Sequence, residues 1–479
     1  MDNSRITVEH YQKGIRKKHR RTEELMYAST GVSTGVQQFK SMEGDMDYRR
    51  MYEEKKLTPQ QAARYVRSGD TVGSTTAICE PLTIINEMCE YALAEGLSDI
   101  KLVKNCMMPM NARYTKPDMK GIVTPVGLFL GSSELRQMAG QGLADFIPCN
   151  LSQQLDIWRD IKPRIATILV SPMDDKGYFT FTMAPLDGRT LVDEADIVLA
   201  ETSPYLPRIQ GSNMVHISEI DGVVESEIKL PVLPLTEPAE NDIKIAEYVV
   251  ERIPDGACIQ FGIGKVPDAV GMLLKEKKNL GIHTELMCSS MYELIKAGAV
   301  DNSRKNIDKG MTVFTFCGGT QEMYDYLDDN PAVRGMPVDY VNNPNVIAQN
   351  DKVISINACL EMDIFGQVCS ESIGPRRITG SGGQLDFIRG ANASKGGRSF
   401  LVVHSTAKGG TVSTIKPMLT EGAHVTTPMN EVDCVVTEYG VAELMFKTAS
   451  QRVKSLISIA HPDMRDELTF HAKKIGLMI

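Results

Sequence analysis

The sequence has few of the features that mark membrane, secreted or metal-binding proteins. No apolar run reaches the roughly 18–20 residues that a membrane-spanning helix needs, and the N-terminus has no hydrophobic signal region. The 10 cysteines form no Cys-x-x-Cys pair and no Cys/His cluster with zinc spacing. We therefore expect reduced, buried thiols, no metal site, no membrane association and a cytoplasmic location.

Nucleotide-dependent and nucleic-acid-binding functions also lack support. The chain carries 52 basic and 61 acidic side chains, a formal net charge of −9, which argues against a nucleic-acid-binding surface over the whole protein. No Gly-x-x-x-x-Gly-Lys-Ser/Thr motif occurs, so ATP-driven chemistry is not indicated. Local basic patches for an anionic ligand remain compatible with this composition.

Length and composition predict three segments. At 479 residues the chain is too long for one ordinary core. Residues 1–45 are polar, with a basic run at 16–21 that is typical of a solvated helix face or a mobile arm. The proline-rich stretch at 230–240 fits a semi-rigid connection, so we place one lobe at 46–235 and a second at 236–479.

The pattern after residue 45 predicts an α/β fold with mostly parallel sheets, because short β-rich runs alternate with helical segments. The turn at 174–177, followed by Tyr-Phe-Thr-Phe, predicts an inserted β-hairpin. A weak repeat relates 70–81 to 256–267, each with a helix on either side, and suggests two lobes of related fold. The first copy lacks Gly-x-Gly and the glutamate, so chemistry is expected in the second lobe, with the first supplying a wall.

A glycine-rich turn follows the predicted strand at 258–261. It admits three interpretations: a dinucleotide fingerprint, a purely structural turn, or a loop whose backbone N–H groups a ligand approaches closely. The dinucleotide interpretation is weak, because Pro267 stands where a third glycine belongs and no ribose-binding acid is evident. A proline near a helix start is compatible with the ligand-binding loop.

Glu285 is the candidate nucleophile. The run Gly281–Leu286 reads as a strand, in which His283 and Glu285 point to one face. A carboxylate near the C-terminal end of a strand in an α/β sheet lies where ligand crevices form. A second glycine cluster at 380–389, with later Gly-Gly pairs at 396–397 and 409–410, is either a set of surface turns or a set of loops rich in backbone donors.

Together these motifs resemble the family I coenzyme A transferases of the acetyl-CoA hydrolase/transferase group, and within it the 4-hydroxybutyrate CoA-transferases. The similarity covers about Met46 to the C-terminus. It rests on motifs at 260–270, 280–285, 355–363, 382–391 and 436–444. The resemblance implies two related open α/β lobes of the CoA-transferase (NagB/RpiA-like) type. The chain departs from the family at Ser289–Ser290, where members usually carry an Asp-Gly turn close to the acyl pocket.

The resemblance also implies roles for individual residues. Glu285 maps onto the covalent nucleophile, and Asn342 onto the asparagine that faces the reacting carboxylate. The expected oxyanion donors are Ile263 and a glycine of the later pair, Gly382 or Gly383. The expected CoA contacts are Gly262, Ile263, Gly264, Lys265, Val266, Gly383 and Lys408.

The implied activity is transfer of CoA between short-chain carboxylic acids such as 4-hydroxybutyrate, butyrate or acetate, through a glutamyl-CoA thioester and ping-pong kinetics. The expected partners are acyl-CoA and a carboxylate, with coenzyme A as substrate, no permanently bound cofactor and no nucleic acid. We expect a homodimer or larger homo-oligomer. Two alternatives stay open: an acyl-CoA hydrolase that shares the nucleophile but admits water, and a non-catalytic ligand-binding protein.

Overall fold

The computed structural model describes residues 47–107, 112–262 and 264–477. The chain divides into two compact units, 1–53 and 54–479. The described part of the first unit is helical from Tyr48, where helix α1 (Tyr48–Lys55) begins. The predicted extension, 1–45, lies outside the described residues. The lobe boundary at residue 235 stays a prediction.

The part of the second unit up to residue 250 contains nine strands and six helices. The strands are β1 Thr71–Ser74, β2 Ile100–Met107, β3 Val123–Leu130, β4 Asp145–Phe146, β5 Ile165–Val170, β6 Tyr178–Thr180, β7 Ile197–Thr202, β8 Met214–His216 and β9 Gly222–Glu225. The helices are α2 Pro59–Ala63, α3 Leu82–Ala94, α4 Ser133–Gly140, α5 Gln154–Ile161, α6 Gly188–Glu194 and α7 Glu240–Val250.

The remaining described residues add fifteen strands and eight helices. The strands are β10 Cys258–Phe261, β11 Gly281–Cys288, β12 Thr312–Gly318, β13 Val333–Gly335, β14 Val353–Ala358, β15 Glu361–Asp363, β16 Val368–Cys369, β17 Ser372–Ile373, β18 Arg376–Arg377, β19 Arg398–Val402, β20 Thr406–Ala407, β21 Val412–Ser413, β22 Ile415–Lys416, β23 Cys434–Thr437 and β24 Gly440–Glu443. The helices are α8 Lys265–Leu273, α9 Ser289–Lys296, α10 Gln321–Leu327, α11 Val338–Val341, α12 Pro344–Ile347, α13 Gln384–Ala393, α14 Ala449–Ile459 and α15 Arg465–Lys474.

Two sheets with the same strand order organise the second unit. The first runs β4-β3-β2-β1-β5-β7-β9, and the second runs β13-β12-β11-β10-β14-β19-β23-β24. All neighbours are parallel except β23 and β24, which form an antiparallel edge. This confirms the α/β prediction with mostly parallel sheets. It also confirms the internal repeat, because β1 and β10 occupy the same central place in their sheets.

The prediction of an inserted β-hairpin around the turn at 174–177 was only partly right. The turn exists, since the Gly177 N–H donates to the Asp174 carbonyl at 3.0 Å. The segment before the turn also bonds to β6, since the Ser171 N–H donates to the Thr180 carbonyl at 2.9 Å, but the antiparallel ladder of β6 is formed with β8, far along the chain. Sequence alternation identifies a strand but carries no information about a partner at such a separation.

One hydrophobic core joins the two lobes. Buried side chains of the first lobe, such as Leu169, Met183 and Ile209, belong to the same cluster as Ile259, Ile282 and Ile354 of the second central sheet. This packing holds the first lobe against the second one, near the strand ends at which the candidate residues lie. No helix in the described ranges is long and apolar enough to cross a membrane.

Candidate active site

Glu285 lies near the point in the second sheet at which the order of the strands reverses. Strand β10 has β11 on one side and β14 on the other. Pairing between β10 and β11 ends at Ile259 with Ile282, whereas β11 continues beyond Glu285 beside β12. The two strands therefore separate before Glu285, which opens the crevice that binds ligands in doubly wound sheets. The glutamate is inside the strand rather than at its last residue.

An amide holds the Glu285 carboxylate. The Asn342 Nδ2 donates to Oε2 of Glu285 at 2.7 Å. Asn342 directly follows α11, and its side chain is fully buried. His283 anchors this segment, because its Nε2 donates to the carbonyl of Val341 at 2.9 Å. Burial lowers the pKa of His283 to about 4, so the ring is neutral and Nε2 carries the proton.

The second glycine pair contacts the same carboxylate. Gly383 is the N-cap of α13, and a Cβ there would collide with both Glu285 Oε2 and Asn342 Nδ2. Its backbone N–H lies close enough to the Glu285 carboxylate to lower the pKa of that group. Gly382 has φ +55°, and a Cβ built on it would lie 3.8 Å from Glu285 Oε1. Only glycine therefore lets the backbone approach the carboxylate this closely.

Burial dominates the acidity of Glu285. Burial raises the pKa of this carboxyl most, the nearby groups Asn342 and Gly383 lower it, and the charge of Asp386 raises it, so that the pKa is about 7. The resulting pKa is typical of a group that changes charge near neutral pH, and a buried, hydrogen-bonded carboxylate in a crevice is a functional-site candidate.

Asp386 was missed by the sequence prediction, although it lies inside the quoted 382–391 motif. Its pKa is raised to about 6 by burial, and hydrogen bonds from Ser152 and Asn342 oppose this. The Ser152 N–H and hydroxyl donate to its two oxygens at 2.9 and 2.7 Å. Asn342 therefore lowers the pKa of both carboxylates, whereas its hydrogen bond is made to Glu285. An acid in the first turn of a helix is ordinarily an end-capping group, which hides such a role in the sequence.

The first lobe supplies one wall of the site, as predicted. Phe129, on β3, lies 3.7 Å from a Cβ built on Gly382. Its neighbour in register on β2 is Cys106, whose pKa is raised to about 12 by burial and by the nearby charges of Glu80 and Glu285. The Ser381 hydroxyl donates to the Cys149 carbonyl at 2.6 Å. The loop at 380–383, which contains the second glycine pair, is thus fixed to both lobes.

The first glycine turn lies beside the strand that carries Glu285. Gly264 has φ +128°, a conformation that favours glycine, and it is the N-cap of α8. The thiol of Cys288, at the end of β11, lies 3.7 Å from the Gly262 carbonyl. Lys265 is exposed and Val266 is buried. Ile263, the other expected oxyanion donor, lies outside the described residues.

Two other predicted positions are not brought into this cluster. Lys408 is exposed at the tip of the β20–β21 hairpin, and within the described ranges it makes no ion pair and no hydrogen bond to another candidate residue. Ser289 and Ser290 form the first turn of α9 rather than a loop. Their contacts are structural: the Ser289 hydroxyl accepts from the Thr320 N–H at 2.9 Å.

No group of three His, Cys, Asp or Glu side chains is arranged to hold a metal ion in the part of the chain that the structure describes. The groups that the structure brings together at the site are the Glu285 and Asp386 carboxylates, the Asn342 amide and the backbone at the start of α13. These groups suit covalent attack by a carboxylate and stabilisation of the oxyanion that follows.

Comparison with known proteins agrees with this arrangement. Models of the acetyl-CoA hydrolase/transferase N-terminal and C-terminal domains match residues 41–234 and 319–472. The chain is 40% identical to the 4-hydroxybutyrate coenzyme A transferase of Clostridium kluyveri, over 90% of this chain and 100% of that protein. An acetyl-CoA hydrolase of Kluyveromyces lactis is 30% identical, but over only 52% of this chain and 48% of that protein.

A solved structure, RipA from Yersinia pestis, superposes with a TM-score of 0.85 at 36% identity, covering 90% of this chain and 100% of RipA. The transferase relative matches over its whole length, and the hydrolase relative over about half. The chain therefore belongs to the acetyl-CoA hydrolase/transferase family, and within it to the CoA-transferases.

Proposed function

We propose that the protein transfers CoA from an acyl-CoA to a free carboxylic acid, with Glu285 as the covalent carrier. One observation carries this assignment. The Glu285 carboxylate lies in the crevice between β10 and β11, hydrogen-bonded by Asn342 at 2.7 Å and bordered by the N-terminus of α13. An exchange between a thioester and a carboxylate is nearly neutral in energy, so the enzyme needs a nucleophile that conserves the activated bond.

The first half-reaction has two steps. A Glu285 oxygen attacks the acyl carbonyl, a C–O bond forms, the C–S bond breaks, and CoA leaves as a thiolate. The thiolate then attacks the Glu285 carbonyl carbon of this mixed anhydride. The C–O bond to Glu285 breaks, the first acid leaves as a carboxylate, and a glutamyl-CoA thioester remains. The acceptor acid reverses both steps, so no net proton is taken up or released.

Each attack produces a tetrahedral oxyanion that needs a donor. The Gly383 N–H, which lies close enough to lower the pKa of Glu285, is the proposed donor when Glu285 is the attacked carbonyl. Removal of one such donor typically costs about 3–4 kcal/mol of transition-state stabilisation. Ile263 is the proposed donor for the acyl carbonyl, and Gly262, Gly264, Lys265 and Val266 the proposed CoA loop. The distant nucleotide of CoA would contribute binding energy and position the thioester.

Asn342 and Asp386 prepare Glu285 for its two chemical states. The amide stabilises the attacking carboxylate, and the charge of Asp386 opposes it. When Glu285 becomes an uncharged thioester, the repulsion from Asp386 disappears. Asp386 therefore favours the covalent intermediate, whereas Asn342 preserves part of the negative charge that the attacking carboxylate needs.

Substrates and assembly complete the proposal. The names of the relatives support short-chain acids, with 4-hydroxybutyrate, butyrate and acetate as first choices. We propose a cytoplasmic homo-oligomer with no permanently bound cofactor, active in fermentative short-chain fatty acid metabolism.

Intact-mass spectrometry after mixing with butyryl-CoA tests the function, with Glu285→Ala as control. The expected result is a CoA adduct on the wild type alone, which disappears when acetate is added and acetyl-CoA appears. Release of thiol at the same rate with and without acetate would indicate a hydrolase. Binding of butyryl-CoA without adduct or turnover would indicate a ligand-binding protein.

A further inference from the structure

A second cavity lies at the junction of the two lobes. Its volume is about 490 Å³, and it is lined by Arg136, Gln137 and Gly140 from α4 and by Pro375 and Arg376 from the β17–β18 hairpin. Residues of both lobes therefore line the cavity: α4 belongs to the first lobe, and the β17–β18 hairpin belongs to the second lobe. Ligand sites occur preferentially at such junctions.

The two arginines of this cavity have no carboxylate partner among the described residues. Arg136 is held by one hydrogen bond, from its Nε to the Leu130 carbonyl at 3.3 Å, which leaves the terminal N–H groups of its guanidinium available. Arg376 is exposed. The adjacent Arg377 differs, because it pairs with Glu371 at 2.8 Å and stacks on the Phe146 ring at 3.9 Å. Arg377 is therefore structural, whereas Arg136 and Arg376 are available to a ligand.

Both walls of the cavity continue into the catalytic site. Leu130, which fixes Arg136, directly follows Phe129, the side chain next to Gly382. On the other wall, the β17–β18 hairpin is followed along the chain by the loop at 380–383, which contains the second glycine pair. A Cβ at Gly380, in that loop, would collide with the Leu128 carbonyl. Charges from both sites act on the Cys106 thiol: the charge of Glu285 raises its pKa, and the positive charge of Arg136 partly opposes that rise.

We propose that Arg136 and Arg376 form a subsite for an anionic group of the substrates. Two arginines line this one cavity, and arginine binds the oxygen atoms of a carboxylate or a phosphate through paired N–H donors. Two sources carry that chemistry here: the phosphates of CoA, and the second carboxylate of a dicarboxylic acid such as succinate. The subsite rests on the proposed function, since it assumes that both substrates enter the Glu285 crevice.

Steady-state kinetics separate the two sources. The test variant is Arg136→Gln/Arg376→Gln. The matched control is Arg67→Gln, an exposed arginine that lies four residues before β1 and outside the lining of the cavity. Four substrates are compared: acetyl-CoA, S-acetyl-pantetheine, butyrate and succinate. Loss of charge-assisted hydrogen bonds is expected to raise one KM about 10–100-fold, with kcat within about twofold.

A phosphate subsite raises the KM for acetyl-CoA but not that for acetyl-pantetheine. A carboxylate subsite raises the KM for succinate but not that for butyrate. Values for all four substrates within twofold of Arg67→Gln overturn the proposal.

A binding measurement keeps the subsite testable if the wild type shows no turnover. Pyrophosphate and succinate are each titrated while the thermal midpoint is recorded, because a ligand of the folded state raises it. The expected result is a rise with one of them in the wild type and in Arg67→Gln, and none in the double variant. An equal response in all three proteins, or no response in any of them, rejects the subsite whatever the outcome for Glu285.

Discussion

Asn342 and Glu285 form the central contact of this site: the Asn342 Nδ2 donates to the Glu285 carboxylate at 2.7 Å. Replacement of Asn342 by alanine removes this donor. We expect turnover to fall about 10–100-fold, the effect of losing one hydrogen bond to a charged group. Because this bond lowers the pKa of Glu285, the acid limb of the rate profile should move to higher pH. An unchanged acid limb would show that the contact does not govern the nucleophile.

The pH dependence of adduct formation follows from the state of Glu285. Only the carboxylate attacks, and burial raises its pKa to about 7. The rate of thioester formation in a single turnover should therefore increase as pH rises from 5 to 8, with a midpoint of about 7. His283 does not contribute to this limb, because its pKa is lowered to about 4. A rate that is constant over this range would contradict the assignment.

Asp386 should act on Glu285 through its charge. Replacement by asparagine preserves the size of the side chain but removes the repulsion, so the pKa of Glu285 falls and the acid limb moves to lower pH. The fraction of enzyme present as glutamyl-CoA at equilibrium should fall as well. Two further titratable groups act on this pair: Arg389, which is on the same helix as Asp386 and is charged, and Cys106 on β2, whose thiol stays neutral because its pKa is raised to about 12.

Ser152→Ala provides a control for the Asp386 prediction. It removes one hydrogen bond to Asp386, the one from the Ser152 hydroxyl at 2.7 Å, and leaves the carboxylate in place. It should raise the pKa of Asp386 and shift the Glu285 limb less than the asparagine variant does. If both variants behave as the wild type at equal thermal stability, Asp386 only links the lobes.

Gly383→Ala tests the close approach of backbone and carboxylate. The added Cβ would collide with Glu285 and Asn342, so adduct formation should be lost and the protein destabilised by about 1–3 kcal/mol. The collision with the carboxylate disappears in a Glu285→Ala background, and the same glycine substitution should then cost less stability. Equal costs in the two backgrounds, measured by denaturant unfolding, would refute the collision.

Much of the fold could be predicted from the sequence, because the strands of the two sheets are short apolar runs between turn signals. Strand β10, for example, was predicted with its observed bounds. Pairing over long separations could not be predicted, as the β6–β8 pair shows.

The candidate site also contains some residues that could be predicted from the sequence and others that could not. Glycine motifs, the strand around Glu285 and the family resemblance predicted Glu285 as the candidate nucleophile, with Gly382, Gly383 and Asn342 beside it, and the structure brings these residues together. Asp386, Ser152 and Phe129 could not be predicted, because each acts through a contact between distant parts of the chain. Their residue types are unremarkable at their positions, and only the packing of the two lobes brings them to Glu285.

Direct location of the covalent intermediate tests the central claim. The enzyme is mixed with butyryl-CoA, treated with borohydride to reduce a glutamyl thioester to the alcohol, digested and sequenced by mass spectrometry. The account predicts one modified residue, Glu285, with the modification absent when acetate is added before the borohydride. Butyryl-CoA-dependent modification at any other carboxylate, or rapid CoA transfer by the Glu285→Ala variant, would contradict it.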